Sequence, residues 1–278
     1  VSVDVTRIGF SRDSEEFRVN TARLAQFARA LNETNKAHLD GTIATPIFHH
    51  VPVMQSMVEV LKATTGAFGL HGEHDFHYYR SIVPGQRLFS ISRLIGIGQT
   101  KAGTTLSIRS DIKTHDGNEI SSQFSTVLLT SEKVGKSIGD AAPKPLAKVS
   151  GDRPIVVTHA LTGDQTVRYA DAARDYSPYT IEAEAAAMLG FEAPIVHGMC
   201  TLGFAGRAIV DDACQGDVRR LLRLGGRFSH PVLMVAGQCL TTRLIIGRDG
   251  TERQAISFET LDRDGNVVIK NGFAEVKV

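Results

Sequence analysis

The stretch Tyr169–Val210, YADAARDYSPYTIEAEAAAMLGFEAPIVHGMCTLGFAGRAIV, decides the fold. From Met199 onward, Leu202, Ile209, Val210 and Ala213 follow helical spacing and predict one apolar helix. Gly203, Ala205, Gly206 and Ala208 keep that helix slim, so that a sheet can close around it. A shorter helix is expected over Glu182–Leu189, ended by Gly190. Between the two lies Ala193-Pro-Ile-Val-His197, with Gly198 opening the apolar helix.

The pattern has a second copy upstream. Phe27-Ala-Arg-Ala-Leu-Asn-Glu33-Thr-Asn35-Lys-Ala-His38 parallels Tyr169-Ala-Asp-Ala-Ala-Arg-Asp175-Tyr-Ser177-Pro-Tyr-Thr180. Thr45-Pro-Ile-Phe-His49 parallels Ala193-Pro-Ile-Val-His197, and Pro84-Gly-Gln-Arg-Leu88 parallels Ala236-Gly-Gln-Cys-Leu240. Asp116-Gly-Asn118 and Asp264-Gly-Asn266 each precede a final strand. The order is kept throughout, which marks an internal repeat. The first copy has its own apolar helix, through Met54, Met57, Val58 and Leu61. β-rich runs follow at 87–98, 104–114 and 119–129 in one copy and at 239–247, 254–261 and 267–278 in the other. One helix wrapped by an antiparallel sheet, repeated, is an α+β design. The two sheets are expected to join edge to edge, which hides two unpaired edges. The expected domains are 1–130 and 155–278. A linker over 131–154, rich in Lys, Gly, Ala, Ser and Pro, separates them.

Composition narrows the function classes. Net charge is +1, so no electrostatic footprint for nucleic acid is expected. Cys200, Cys214 and Cys239 are odd in number and lack CxxC spacing, which argues against a disulfide framework and for a reducing compartment. The opening VSVDVTRIGF lacks a signal pattern, and the apolar stretch 194–210 is broken by His197 and Arg207. A cytoplasmic protein without membrane attachment is expected.

The segment 169–213 resembles the signature of the MaoC-like (R)-specific enoyl-CoA hydratases. That signature is an aromatic, then Gly-Asp-x-Asn-Pro-x-His, a short helix, and Gly-Phe-x-x-Pro-Ile-x-His-Gly-Met. The first half is similar to the degenerate partner domain of double hot-dog members. The resemblance implies a double hot-dog fold and the hydration of a trans-2-enoyl thioester to the (R)-3-hydroxyacyl thioester, or the reverse. CoA or acyl-carrier-protein thioesters are the implied partners, with no cofactor and no metal. A homodimer, or pairing with a homologous hydratase subunit, is also implied. From His38 to Pro46 there are 8 positions against 14 from Thr180 to Pro194, so the first copy lacks the short helix. By resemblance, that loss opens room for a bulky acyl chain.

The resemblance places Asp175 as the catalytic carboxylate, able to take a proton from water; the alternative is a solvent-facing aspartate at a helix end. Gly198 offers a backbone N–H at a positive helix end and lets a thioester oxygen approach closely; the alternative is a glycine needed only for packing. His197 is either catalytic or a fastener of the loop. Thr180 stands where the family has its catalytic histidine, Ser177 replaces the motif asparagine, and Arg174 replaces the glycine before the aspartate. Threonine cannot exchange protons as imidazole does, so a non-catalytic acyl-CoA-binding or scaffold subunit is the alternative function. Thioester hydrolysis is a further one. Glu33 and His38 keep the same five-residue spacing and form a possible second acid/base site, although His50 stands there in place of Gly198.

Three other patterns are set aside. Gly96-Ile-Gly98 lies in a β-hairpin, so it is no phosphate loop. His71, His74 and His77 sit on an expected strand, where His74 points away from the other two. Arg219, Arg220, Arg223 and Arg227 are expected on solvated surface, with CoA phosphates as an alternative partner.

Overall fold

The computed structural model describes residues 3–67, 69–151, 153–247 and 252–278. In the first half, strands β1 (Ser11–Asp13) and β2 (Phe17–Arg18) precede helices α1 (Thr21–Ala30) and α2 (Lys36–Leu39). A buried 3-10 segment, Pro46–Val53, runs into α3 (Met54–Thr64). Strands β3 (Leu70–Tyr78), β4 (Arg87–Thr100), β5 (Gly103–Thr114) and β6 (Glu119–Leu129) follow, with a short β7 (Ile138–Gly139) on the edge of β4. The second half repeats the plan. Its elements are β8 (Ile155–Ala160), α4 (Gln165–Ala173), α5 (Pro178–Ile181), α6 (Ala183–Met188) and α7 (Gly198–Asp212), then β9 (Leu221–Phe228), β10 (Cys239–Ile246), β11 (Arg253–Leu261) and β12 (Val267–Lys277).

All strands form one antiparallel sheet of 12, ordered β1-β4-β5-β6-β3-β9-β12-β11-β10-β8, with β2 and β7 also paired to β4. Alternating buried and exposed residues along β4 and β10 give the sheet one apolar face, as half-covered strands require. The two halves meet where β3 pairs with β9, from Glu73 opposite Arg227 to His77 opposite Arg223. The architecture is two hot-dog units joined edge to edge.

The helices fill the concave face. In α7, Met199, Cys200, Leu202, Phe204, Ala205, Ala208 and Ile209 are all buried, so the helix sits inside the core rather than on it. Its small residues serve the interface between halves as well as the sheet: a Cβ on Gly203 would strike Leu31 and Ile47 at 2.8 Å. The fully buried residues of α3 are Ser56, Met57, Val60 and Thr64, while Met54 and Leu61 of the expected stripe pack partly buried against the same core. Ser56 turns inward because its hydroxyl joins a buried chain with Ser90, Ser92 and Ser110. Phe27 packs edge-on to Phe48 at 5.2 Å and tilts against Tyr169 at 5.7 Å, linking the two repeats through one aromatic stack. Polar ties cross the same boundary, from Gln165 to the Ala30 carbonyl and from Asn35 to the Gly216 carbonyl.

Arg219 and Arg227 of the arginine cluster are exposed, as expected, but Arg223 is not. Arg223 Nε and Nη2 donate to both oxygens of Asp75, at 2.9 and 2.6 Å, across the β3–β9 seam, and both side chains are largely buried. Arg219 is held by Asp217, Arg220 by the Lys277 carbonyl, and Arg227 lies 3.7 Å from Glu73. The chain between the halves passes over this seam, where Lys144 O accepts from Arg223. Among the described residues Arg223→Ala leaves the Asp75 carboxylate with no arginine or lysine beside it, which urea denaturation should read as a loss of about 3 kcal/mol.

Candidate functional site

The site is built on the turn after α4. Arg174 holds the left-handed conformation there (φ 59, ψ 34), and Asn32 (φ 51) does the same at the matching point of the first repeat. That explains the motif glycine at this place, since a left-handed residue with a side chain costs about 1–2 kcal/mol. The turn aims the Asp175 side chain at the next helix start. Its Oδ1 accepts from the Ser177 hydroxyl at 2.7 Å and the Ser177 N–H at 3.2 Å. Ser177 therefore holds the carboxylate in place, and Asp175 remains half-exposed.

Thr180 and His197 tie this turn to α7. The Thr180 hydroxyl donates to Ser177 O at 2.6 Å, which leaves it to accept from His197 Nε2 at 2.9 Å. The same Nε2 lies 3.0 Å from Asp175 O. Two acceptors fix the proton on Nε2, while Nδ1 is buried without a partner. Burial holds the His197 pKa below its ordinary value, against the pull of Asp175. His197 is thus placed as a neutral fastener between the Asp175 backbone and the head of α7.

Gly198 follows at that head. Among the described residues nothing accepts from its N–H, as expected for the first residue of a helix. The Phe228 ring lies over it, 3.3 Å from where a Cβ would stand. Beyond Phe228, at 5.1 Å, is the ring of His71. His71 Nε2 meets His74 Nδ1 at 3.1 Å, so these two histidines share a face. This corrects the alternation expected from sequence. The register slips between His71 and Glu73, and the bulge at Gly72 turns His71 inward beside His74. His77 stays on the opposite face, against Asp75 and Phe124.

His50 completes the cluster, 5.1 Å from His74 and 5.9 Å from His71 between ring centroids. Burial lowers the pKa of His50, His71 and His74, and the Asp175 charge opposes this at His50 and His71. All three are neutral at pH 7. Among the described residues no group of His, Cys, Asp or Glu is arranged to hold a metal ion.

Glu33 and His38 lie together at the matching point of the first half. Glu33 Oε1 accepts the N–H groups of Thr34 and Asn35 at 2.8 and 3.0 Å, with Arg207 at 3.5 Å. His38 Nδ1 lies 3.1 Å from the Ile43 carbonyl, and its Nε2 is buried without a partner. A cation from α7 thus occupies the place beside Glu33.

Two family models divide the chain. A MaoC like domain matches residues 141–264, and the FAS1-like dehydratase domain region matches residues 6–123. This chain belongs to the MaoC-like dehydratase and hydratase family, in its double hot-dog form. The peroxisomal multifunctional enzyme type 2 of Mus musculus is 27% identical over 213 residues, 76% of this chain and 28% of that protein. The peroxisomal enoyl-CoA hydratase 2 of Arabidopsis thaliana is 28% identical over 130 residues, 47% of this chain and 40% of that protein. The chain therefore spans less than half the length of these relatives. A MaoC-like dehydratase from Phytophthora capsici has the same fold, with a TM-score of 0.84 and 22% identity over 99% of this chain and 98% of that one.

The sequence of this MaoC-like chain marked His50 only as the residue in place of Gly198, and placed His71 and His74 on opposite faces. Two signals pointed to them: His50 occupies the repeat position of Gly198, and a glycine inside a strand commonly marks a bulge. No helix among the described residues is long and apolar enough to cross a membrane.

Two stability outcomes follow for the MaoC-like chain. Arg174→Gly relieves the left-handed turn and should raise stability by about 0.5–1 kcal/mol in urea denaturation, after the entropy cost of glycine. Acid should act in the opposite direction. Burial pushes the His49 pKa down to about 3 from an ordinary 6.5. Stability from this neutral imidazole is full above about pH 6.5. Below that the unfolded chain takes up a proton that the folded chain refuses. By about pH 5 the loss is about 2 kcal/mol for His49, and His50, His71, His74 and His197 add to it in the same direction. Urea midpoints between neutral pH and about pH 5 check this.

Proposed function

We propose that the chain is an (R)-specific enoyl-thioester hydratase or 3-hydroxyacyl-thioester dehydratase, adding water to or removing it from a CoA or acyl-carrier-protein thioester. One observation carries the reading. His197 brings a half-exposed carboxylate, Asp175, to the head of a helix whose first N–H, on Gly198, has no protein acceptor. Hydration needs both parts: a carboxylate to hold and polarise the attacking water, and a donor on the carbonyl oxygen, where enolate charge develops. The relatives described as enoyl-CoA hydratases support the same reaction class.

A second reading rests on Thr180. Its hydroxyl is engaged on both sides, by Ser177 O and by His197, and has no proton free for catalysis. On that reading the chain is a non-catalytic acyl-thioester-binding subunit that works with an active homologous partner.

Loss of the conjugated thioester absorbance on adding crotonyl-CoA or longer enoyl-CoA substrates tests the proposal. Turnover by the isolated chain is expected, and Asp175→Asn should lower kcat by about 10²–10⁴-fold. No turnover with short, long and branched substrates, together with thermal stabilisation by acyl-CoA, would sink the first reading and favour the second.

A further inference from the structure

We infer that the first half carries a further binding site, for a phosphate group, in the cavity lined by His49, Tyr78, Arg80, Ser81, Arg219 and Leu221. Its place in the fold matches that of the Gly198 site in the other repeat. Asp75 lies opposite Gly225 where β3 pairs with β9. Tyr78 is three residues past Asp75, as Phe228 is three past Gly225. The Tyr78 ring packs edge-on to His49 at 5.0 Å, much as the Phe228 ring covers Gly198. His49 itself parallels His197 in the repeat. The two places stand at opposite ends of β9, at Leu221 and Phe228, about 23 Å apart along the strand. The cavity is therefore separate from the site at Asp175 and Gly198.

At this point the two repeats differ by one hydroxyl. Tyr78 Oη is buried and has no hydrogen-bond partner among the described residues. Native proteins seldom bury a polar group unpaired, because its desolvation is then uncompensated. Burial, with the Asp75 charge nearby, pushes the phenol well above its ordinary value. The hydroxyl thus keeps its proton and is a donor without an acceptor. Phe228, its counterpart, has nothing to satisfy.

The rest of the wall selects the ligand. No acidic side chain lines the cavity, and two arginines do, one from each half. Arg80 gives Nη1 to the Glu119 carbonyl, and Arg219 gives Nε and Nη2 to Asp217. Among the described residues that leaves Nε and Nη2 of Arg80 and Nη1 of Arg219 without a partner. Asp217 neutralises Arg219, so Arg80 supplies the positive charge of the wall. His49 is neutral and adds none. Such a set calls for an oxyanion. Its donors come from three places: Tyr78 at the end of β3, Arg80 in the turn after it, and Arg219 in the 3-10 turn Val218–Arg220 ahead of β9. Three origins suit the tetrahedral oxygens of a phosphate better than the planar pair of a carboxylate. The cavity measures about 30 Å³, room for about two waters, so it takes one small group and no ring or chain. That group has two sources, free phosphate or a phosphate of CoA.

The test titrates the full chain with inorganic phosphate at constant ionic strength and reads binding from the phosphorus resonance linewidth. A saturable response is expected. Tyr78→Phe, which removes only the hydroxyl, should weaken it about 10-fold, and Arg80→Gln by about as much. Melting temperatures check that each variant folds; if Tyr78→Phe does not, Arg80→Gln, at an exposed position, decides alone. The inference is overturned by a wild-type response that does not saturate, by an unchanged affinity in either folded variant, or by acetate binding as tightly as phosphate. Adding CoA to the phosphate-loaded chain separates the sources. Displacement of phosphate assigns the site to a phosphate of CoA, and retention assigns it to free phosphate. None of these outcomes touches the hydratase reading, which the enoyl-CoA assay tests separately.

Discussion

The pairing of β3 with β9 is the constraint on which the rest depends. Each half alone would leave an open strand edge, with unpaired N–H and C=O groups. Joining the two edges turns two small sheets into one of 12 strands and curls it around α7. The seam is tight. A Cβ on Gly225 would come within 2.7 Å of the His74 carbonyl, so the second half must present a glycine there. The bidentate Arg223–Asp75 pair lies on the same few residues. Such a pair contributes little net stability once desolvation is counted, but it sets a register, because any slip strands a charge in the interior. Register matters here because it puts His74 opposite Gly226, two residues before Phe228, the ring that covers Gly198. The seam thereby brings first-half histidines to a second-half helix head.

At that helix head, electrostatics and hydrogen-bond accounting do different work. Asp175 is kept half-exposed and held by Ser177, where water can reach it. Around it stand imidazoles whose proton affinity burial has reduced. A neutral imidazole with one nitrogen committed and one free can take up and return a proton, whereas a permanently charged one could not accept it. His197 has its proton between two oxygens, so it positions the turn. His50 donates its Nδ1 proton to Gln123 Oε1.

Much of the fold was legible from sequence because it depends on periodicity and repetition, which local residues encode. The small-residue pattern of α7, the turns at Asp116-Gly117 and Asp264-Gly265, and the duplication itself all carry over to the three-dimensional arrangement. Ser56 was not expected on the buried side of α3, where it lies because its hydroxyl is satisfied on serines of β4 and β5. Arg223 looked solvated because its partner, Asp75, lies 148 positions away. His71 was placed on the wrong face because one bulged residue reverses strand alternation. Ser56 and Arg223 turn on contacts between segments far apart in the chain, whereas the bulge beside His71 was marked locally by Gly72.

The two repeats have diverged in a way that the geometry makes sense of. At the head of α7 the second copy keeps glycine, leaving a backbone donor uncovered by its own side chain; the first copy has His50 at that position and a 3-10 segment in place of a helix start. At the carboxylate the divergence runs the other way. Asp175 is partly exposed, while Glu33 accepts the Thr34 and Asn35 N–H groups ahead of α2 and faces Arg207, a cation supplied by α7 itself. In the first copy the carboxylate, Glu33, is drawn into the interface with Arg207; in the second, Thr180 stands at the repeat position of His38 and Asp175 has no such cation beside it. Because the seam holds both copies around one helix, the fate of each copy's polar groups is decided by the other copy as well as by its own sequence.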